Sequence, residues 1–228
     1  MPLHGLYRYL TRLRRVASKH TRSWNQHVSS GVYMVEIESN LMPETEDWSL
    51  ALRAAGGDMD AFTLIVERYQ KPIVQFCWRM TGSRPDAEDI AQETFVRLYK
   101  ALGRLRPEQA FPALLFSIAR NATLNHLRGA SRHRRRVAAF SRMRNQVADA
   151  LRPDRKAQAR DIAEALEAAL AALPPEYREA IVLREYHGFD YQHIAAILAC
   201  PVGTVRSRIA RAREQLRQHL LTYGEDVL

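Results

Sequence analysis

Residues 191–216 read "YQHIAAILACPVGTVRSRIARAREQL", a pattern that predicts two helices joined by a tight turn at 199–202. The second helix has one apolar side, because its apolar residues recur at helical spacing: Val205, Ile209, Ala212 and Leu216. Its opposite side opens with Gly203 and Ser207, whose small size allows close approach to a partner. This arrangement matches the helix-turn-helix, whose second helix enters the DNA major groove.

The second helix also carries arginine at five positions in residues 206–217, with a single acid, Glu214. On an isolated helix, solvated arginines would explain this charge, but the preceding helix and turn favour a nucleic-acid contact. Most protein–DNA hydrogen bonds go to phosphate, so we predict base contacts at no more than three residues: Arg206, Ser207 and Arg211. The predicted duplex-binding set is completed by the two residues beside them, Thr204 and Arg208.

The chain beyond residue 40 has almost no strand pattern, whereas apolar residues recur with the period of an α-helix. Residues 130–160 lose this period and contain "SRHRRR" and Pro153, which is typical of a linker. The sequence therefore predicts an all-α protein of two small helical domains joined by a basic flexible linker, with the helix-turn-helix in the second domain. The clearest apolar stripe comprises Phe62, Ile65, Val66, Tyr69, Ile73, Phe76 and Met80.

The composition shifts along the chain predict four segments. Residues 1–46 are expected to form a disordered N-terminal arm, followed by a first domain at 47–130. The linker is expected at 131–160 and the second domain at 161–222.

Local signals predict where the helices of the first domain bend, begin and end. Pro72 lacks a backbone donor, so it predicts a bend or a division of its helix near Gln70. Ser83 is a good N-cap for a helix that runs to about Leu102. Gly129 predicts the end of the helix that follows Phe111-Pro112.

An acidic row is predicted on the helix that Ser83 begins, because Asp86, Asp89 and Glu93 fall opposite its apolar residues. Three interpretations remain open from these residues alone. The row could be a solvated face favoured near the helix N-terminus. It could also supply carboxylate ligands for catalytic metal ions. Finally, with Gln92 beside it, it could dock a basic helix of a partner protein.

A polar ridge is predicted on the next helix, where Asn121, Asn125 and Arg128 are spaced i, i+4 and i+7. Amides that pack against neighbouring helices would explain it. However, residues 94–144 contain twelve Lys/Arg and one acid, so the ridge lies in a strongly positive field. Amides and arginine beside Phe111 and Phe116 would also suit extruded bases and phosphates.

The net charge of +9 and pI of about 9.9 favour polyanionic partners, although residues 1–33 alone contain six Lys/Arg and no acid. The two cysteines, Cys77 and Cys200, are expected in the core, and they lack the spacing of metal ligands. No apolar run is long enough to span a bilayer. We therefore expect a cytoplasmic protein with no membrane span, metal, cofactor or small-molecule substrate.

Five motifs together resemble the extracytoplasmic-function (ECF) group of bacterial RNA polymerase sigma factors, over about residues 50–222. They are "GDMDAFTLIVERYQ", "AEDIAQETFVRLYKAL", "FPALLFSIARNATLNHLR", "LPPEYREAIVLREYHGFDY" and "CPVGTVRSRIARAREQL", which occur in the family order and spacing. The resemblance implies a promoter-specificity subunit without enzymatic activity of its own. Its implied partners are core RNA polymerase, promoter DNA and a cognate anti-sigma factor.

The resemblance also implies a role for each surface. The acidic row of Asp86, Asp89, Gln92 and Glu93 would dock on the clamp coiled coil of the polymerase. The ridge would bind the unwound minus-ten strand through Arg120, Asn121, Asn125 and Arg128, and the helix-turn-helix would read the minus-35 duplex. Three residues depart from the family pattern: Leu114 replaces a common Trp, Asn125 a common Asp and His193 a frequent Glu.

Two other functions are weighed against this one. A nuclease would use Asp86, Asp89 and Glu93 as metal ligands, and a stand-alone helix-turn-helix regulator would bind duplex DNA as a dimer. Residues 1–33 precede the family-like region and could form a basic amphipathic helix. We expect instead an arm that is disordered in the free protein and that the natural product can lack, since Met34 and Met42 offer internal starts. A chain beginning at Met34 should therefore initiate transcription as well as the full chain does.

Overall fold

The computed structural model describes residues 44–107, 110–140 and 157–225, and the predicted arm up to residue 43 lies outside them. The described residues form eight α-helices and no strand, which confirms the all-α prediction. We call α1–α4 the N-terminal body and α5–α8 the C-terminal body. The helices are α1 (Glu44–Ala55), α2 (Met59–Thr81), α3 (Arg84–Ala101), α4 (Phe111–Phe140), α5 (Ala157–Ala172), α6 (Pro175–Ile181), α7 (Tyr191–Leu198) and α8 (Val202–Glu225).

Helix α2 is the central element of the N-terminal body and packs against α1, α3 and α4. Asp58 caps its N-terminus by accepting a hydrogen bond from the Ala61 amide at 3.0 Å, and this bond is the main cause of the lowered pKa of that carboxyl. Gly82 ends the helix in the left-handed conformation, with a φ of 70°. The predicted stripe of α2 is buried along its whole length.

Pro72 does not divide α2, because the helix runs unbroken from Met59 to Thr81; the expected bend near Gln70 stays a prediction. Proline removes one backbone donor and strains the preceding turn. Here Tyr69 lies before it and Ile73 and Phe76 after it, all fully buried in the same core. Packing on both sides of Pro72 therefore holds the two halves of the helix together.

Helix α3 begins where the sequence predicts, with the Ser83 hydroxyl accepting a hydrogen bond from the Asp86 amide at 3.4 Å. It ends at Ala101, and a single 3-10 turn at Leu102–Arg104 follows it. The side of α3 that packs on the bundle is mostly apolar: Ala87, Ile90, Ala91, Phe95 and Leu98 are all buried. Thr94 is buried with them, and its hydroxyl donates a hydrogen bond to the Ile90 carbonyl at 2.8 Å. Burial of these side chains fixes which face of α3 remains for a partner.

Helix α4 is longer than predicted, since it continues through Gly129 to Phe140. A glycine inside a helix costs only about 1 kcal/mol relative to alanine. The alanines and arginines that follow it are good helix formers, so they sustain the helix into the segment assigned to the linker. At the other end of that segment, α5 already begins at Ala157.

In the C-terminal body, the short helix α6 precedes the last two helices, α7 and α8. Pro175 occupies the first turn of α6, where its missing donor costs nothing. After Ile181 the chain widens into a π-helical turn, Val182–Tyr186, before α7 begins. Helix α8 then packs against α5, α6 and α7, and its core side chains Val205, Ile209 and Ala212 are almost fully buried.

The two cysteines have different surroundings. Cys77 is buried in α2, as predicted, and burial raises the pKa of its thiol to about 12. Cys200 is only half-buried, in the turn before α8, where it packs against the core without lying inside it. Within the described residues, no helix is both long and apolar enough to cross a membrane.

Candidate nucleic-acid interface

The helix-turn-helix is formed as predicted, by α7, a turn at Ala199–Pro201 and α8. Ala199 adopts the left-handed conformation, with a φ of 50°, so the chain leaves α7 sharply. Asp190 caps α7 by accepting a hydrogen bond from the His193 amide at 2.7 Å, the largest cause of the lowered pKa of that carboxyl. His193 Nδ1 lies 3.0 Å from the same oxygen. His193, which departs from the family pattern, is therefore part of the N-cap of α7.

The outer face of α8 is open to a partner. Gly203, Arg206, Ser207 and Arg211 are exposed and Thr204 is half-buried, while the opposite side is buried in the body. A helix presented in this way, N-terminus first and with small residues leading, has the shape that a major groove admits.

The arginines of α8 have different neighbours. Arg206 lies over the Tyr191 ring, with Cζ at 5.6 Å from the ring centre, and Arg211 donates a hydrogen bond to the Tyr177 hydroxyl at 3.3 Å. Both arginines are exposed and both tyrosines are half-buried, so each guanidinium can exchange its contact for a ligand. Arg208 instead points toward the buried carboxylate of Glu179, at 3.6 Å. Among the arginines predicted to bind duplex, Arg208 is therefore the one held by a buried acid within the described residues.

The acidic row of α3 lies on the solvent side, as its spacing predicts. Asp89 and Glu93 are exposed, one turn apart. Glu93 pairs with Arg97 at 2.6 Å, an exposed contact that a basic partner could replace. Asp86 and Gln92 are half-buried, and Asp86 lies 3.5 Å from His126 on α4.

The row shows no further sign of a metal site. In the described part of the chain, no three His, Cys, Asp or Glu side chains come together in a way that could hold a metal ion. Thus the metal interpretation of Asp86, Asp89 and Glu93 gains no support from their geometry.

The polar ridge of α4 is present, because Asn121, Asn125 and Arg128 are all exposed on one side of the helix. Arg120, which was grouped with them, has a different environment. Its guanidinium makes a two-point contact with Glu179 of the C-terminal body, at 2.7 Å and 3.0 Å, and its side chain is 18% exposed. The three ridge residues are therefore exposed, whereas the neighbouring Arg120 is mostly buried.

The two phenylalanines expected beside the ridge do not form an exposed stacking surface. Phe111 is fully buried between Trp48 and Tyr69 in the N-terminal body. Phe116 is also buried, and its ring contacts His187 at 4.8 Å and Phe189 at 4.9 Å, both from the C-terminal body. Helical spacing cannot reveal this cover, because it comes from residues about seventy positions later in the chain.

The sequence prediction missed the contact between the two bodies, whose central residue is Glu179. This glutamate is 2% exposed and lies between Arg120 of α4 and Arg208 of α8. Helical spacing gave no signal of its burial, because Ala180 and Ile181, which follow it directly, lie on other sides of the helix. Its partner Arg120 lies 59 residues away in the chain.

Two more arginines join the bodies around this centre. Arg79 of α2 stacks on the Tyr186 ring at 3.7 Å and lies 3.7 Å from Glu167 of α5. Burial raises the pKa of that glutamate despite the nearby cation. Arg178 donates to the Met80 carbonyl at 3.1 Å, and burial lowers its pKa.

Comparison with known proteins matches residues 65–133 to the family model "Sigma-70 region 2" and residues 163–216 to "Sigma-70, region 4". The RNA polymerase sigma-H factor of Pseudomonas aeruginosa is 36% identical over 188 residues, which cover 79% of this chain and 96% of that protein. The ECF RNA polymerase sigma-E factor of Escherichia coli is 37% identical over 176 residues, covering 75% of this chain and 92% of that protein.

Two solved structures share the fold. CnrH, in complex with the cytosolic domain of CnrY, superposes with a TM-score of 0.58 and 29% identity, covering 78% of this chain and 98% of CnrH. The sigma factor RpoE of Bartonella quintana, in complex with the anti-sigma factor NepR, gives a TM-score of 0.56 and 26% identity. That match covers 70% of this chain and 96% of RpoE.

The helical fold, the helix-turn-helix and the two matched regions define a promoter-specificity factor of transcription. The chain belongs to the sigma-70 family of RNA polymerase sigma factors, in its extracytoplasmic-function group. It directs transcription initiation as the sigma subunit of RNA polymerase at promoter DNA. Sigma factors are initiation factors and not enzymes by themselves.

Proposed function

We propose that three surfaces of this sigma factor divide its work. The acidic row of α3 (Asp86, Asp89, Gln92 and Glu93) docks on a basic helix of core polymerase. The ridge of α4, with Arg120, Asn121, Asn125 and Arg128, binds the melted minus-ten strand. The outer face of α8 reads the minus-35 duplex through Thr204, Arg206, Ser207, Arg208 and Arg211.

The observation that carries the proposal is the open acidic face of α3 on a protein of net charge +9. Asp89 and Glu93 are exposed one turn apart, opposite a buried side that is apolar except for Thr94. A DNA-binding protein gains nothing from carboxylates directed at phosphate, because like charges repel. An exposed acidic row is instead suited to a basic protein surface, where complementary charge gives specificity.

The division between α4 and α8 follows from what each face offers. Exposed amides on α4 can hydrogen-bond to the edges of unpaired bases, which strand separation makes accessible. Arginines near the N-terminus of α8 can enter the major groove and hydrogen-bond to the edges of paired bases, guanine above all. This assignment supports a protein that holds two promoter elements at once, as a stand-alone regulator need not do.

We also propose an anti-sigma partner, a cytoplasmic location and no catalytic activity. Two relatives of known structure are complexes: CnrH with the cytosolic domain of CnrY, and RpoE with the anti-sigma factor NepR. A regulator of this chain would bind the same faces that polymerase and DNA require. Transcription takes place where the chromosome lies, so the protein acts in the cytoplasm.

Capture of core RNA polymerase followed by run-off transcription tests the proposal. The full chain, as the sole specificity factor, is expected to bind core enzyme and to start transcripts at a defined promoter position. A chain that binds duplex DNA as a dimer but neither binds polymerase nor initiates would be a stand-alone regulator. DNA cleavage in the presence of Mg²⁺ and without polymerase would instead reveal a nuclease.

A further inference from the structure

We infer that Tyr177 is a positioning residue for minus-35 recognition, because its hydroxyl holds the guanidinium of Arg211 before DNA binds. The inference rests on the proposed role of Arg211 in reading a base. Arg211 Nη1 donates a hydrogen bond to the Tyr177 hydroxyl at 3.3 Å. Tyr177 lies on α6 and Arg211 on α8, so the contact depends on how these two helices pack. Both residues belong to the C-terminal body, which presents the proposed duplex-reading face.

The arginines of residues 206–217 have two kinds of partner. The two that are predicted to contact bases each contact a tyrosine: Arg206 lies over the Tyr191 ring, with Cζ 5.6 Å from its centre, and Arg211 bonds to the Tyr177 hydroxyl. The other three each face a carboxylate: Arg208 with Glu179, Arg213 with Glu185 and Arg217 with Glu214. A tyrosine is uncharged at neutral pH, so it can fix a guanidinium without neutralising it, whereas a carboxylate neutralises it.

The bond to Tyr177 does not involve the edge of Arg211 that suits a base. A guanidinium carries five N–H donors in a rigid plane, and the bond to Tyr177 uses Nη1. The other edge, formed by Nε and Nη2, carries two parallel donors. In this structure the same edge binds the carboxylates that face Arg120, Arg213 and Arg217. Two parallel donors also match O6 and N7 of guanine, so Arg211 can read a base while it keeps the bond to Tyr177.

Tyr177 is a firm support for this bond. Its side chain is half-buried and packs against the buried core. Its amide donates a hydrogen bond to the Pro174 carbonyl at 3.0 Å, which closes the first turn of α6. A tyrosine has two side-chain torsions, so packing of the ring fixes where its hydroxyl lies. An arginine that is held in advance loses less conformational entropy on binding DNA, an advantage of about two- to tenfold in affinity for a long side chain.

Base selection by the RNA polymerase holoenzyme tests the inference. The probe is the promoter that supports run-off transcription by the unmodified chain, with its minus-35 element randomised. Each variant is assembled with core polymerase, and the bound DNA is sequenced to give the preference at every base position. Arg211→Ala is measured first, because it identifies the position at which Arg211 acts.

The variant Tyr177→Phe removes the hydroxyl and keeps the ring, so the packing of α6 is preserved. It is expected to lower the preference at the Arg211 position about two- to tenfold and to leave the preferences at the other positions unchanged. Tyr191→Phe is the matched control, because the face of its ring, and not its hydroxyl, contacts Arg206. This control should retain the preference at the Arg211 position.

A double variant shows whether Tyr177 acts through Arg211. In a chain with Arg211→Ala, the change Tyr177→Phe should have no further effect on the preference at that position, since the group that it positions is gone. A further loss there would overturn the inference.

Three results with Tyr177→Phe alone would also overturn the inference. An unchanged preference would show that the hydroxyl has no role, and an equal loss at every position would show a purely structural one. Tighter binding would show that Tyr177 competes with DNA for Arg211. Failure of the proposed function is seen separately, because Arg211→Ala would then weaken all sequences alike or the unmodified chain would not initiate. Either of these two results would overturn the inference as well.

Discussion

The two bodies of this sigma factor present their functional residues in different states. In the C-terminal body, the proposed duplex-reading residues lie on one helix, α8, and most of them are exposed. In the N-terminal body, the proposed polymerase-docking residues lie on α3 and the proposed minus-ten residues lie on α4. Arg120 of α4 is covered by the C-terminal body. The difference is that most of the proposed duplex-reading face is exposed, whereas one arginine of the proposed minus-ten face is covered by the C-terminal body.

The largest effect is expected from reversing the charge of the acidic row. Asp89→Arg together with Glu93→Arg should weaken core polymerase binding by at least about 100-fold, because each new arginine faces a basic partner. The exposed pair Asp60→Arg and Glu67→Arg on α2 makes the same change in net charge and serves as the control. Duplex binding by α8 should survive in both variants. Unchanged affinity of the α3 variant for core polymerase would refute docking by this row.

Arg211→Ala probes the open face of the C-terminal body. If Arg211 contacts a base, the substitution should cost about 1–3 kcal/mol on the minus-35 duplex and relax the preference at one base position. Arg217→Ala, 63% exposed and farther along α8, is the matched control and should weaken every sequence alike. A binding titration over all single-base variants of the element measures this difference. Uniform weakening by Arg211→Ala would reassign this residue to phosphate.

Protonation of His187 tests how firmly the two bodies are joined. Burial lowers the pKa of this imidazole to about 3, from an ordinary value of 6.5, and the charge of Arg79 acts in the same direction. The unfolded chain therefore binds more protons below pH 6.5, so stability falls as the pH falls. Between pH 7 and pH 5 the loss from this group is about 2 kcal/mol.

The measurement is urea unfolding at the two pH values. His187→Gln should lose less stability than the unmodified chain on going from pH 7 to pH 5, and His219→Gln, at an exposed position of α8, is the control. A variant with the same pH dependence as the unmodified chain would show that His187 is not buried in the folded state. It would also remove the closed contact on which the comparison of the two bodies depends.

The smallest effect is expected from Asn121→Ala on the exposed ridge of α4. Loss of a single hydrogen bond to an unpaired base should cost about 1 kcal/mol in open-complex formation. Duplex binding by α8 should not change, which is the reverse of the result expected for Arg211→Ala. Permanganate reactivity of the melted thymines reports the step. Normal melting by Asn121→Ala would exclude the amide from strand capture.

Local signals in the sequence were sufficient for much of the fold. The apolar stripe of α2, the cap at Ser83 and the helix-turn-helix depend on neighbours within a few residues, and the structure confirms all three. The end predicted at Gly129 was wrong because a weak local breaker is outweighed by the helix formers around it.

The contacts between the bodies had no local signal. Glu179 and Arg120 are 59 residues apart, and each sits in a segment whose pattern is complete without the other. Phe116 likewise looked like an available aromatic because its cover comes from Phe189. The exposed members of the proposed surfaces could therefore be placed from spacing, whereas the burial of Arg120, Arg208 and Phe116 required the three-dimensional packing.

The buried thiol of Cys77 makes this chain its own reporter of unfolding. A pKa of about 12 leaves almost no thiolate at neutral pH, and a reagent cannot reach the sulfur while the α2 core is intact. Alkylation of Cys77 therefore requires that the N-terminal body open, and its rate measures how often this happens. Cys200, half-buried at the turn, reacts independently of that event. The alkylation rates of the two cysteines therefore report separately on the N-terminal and C-terminal bodies.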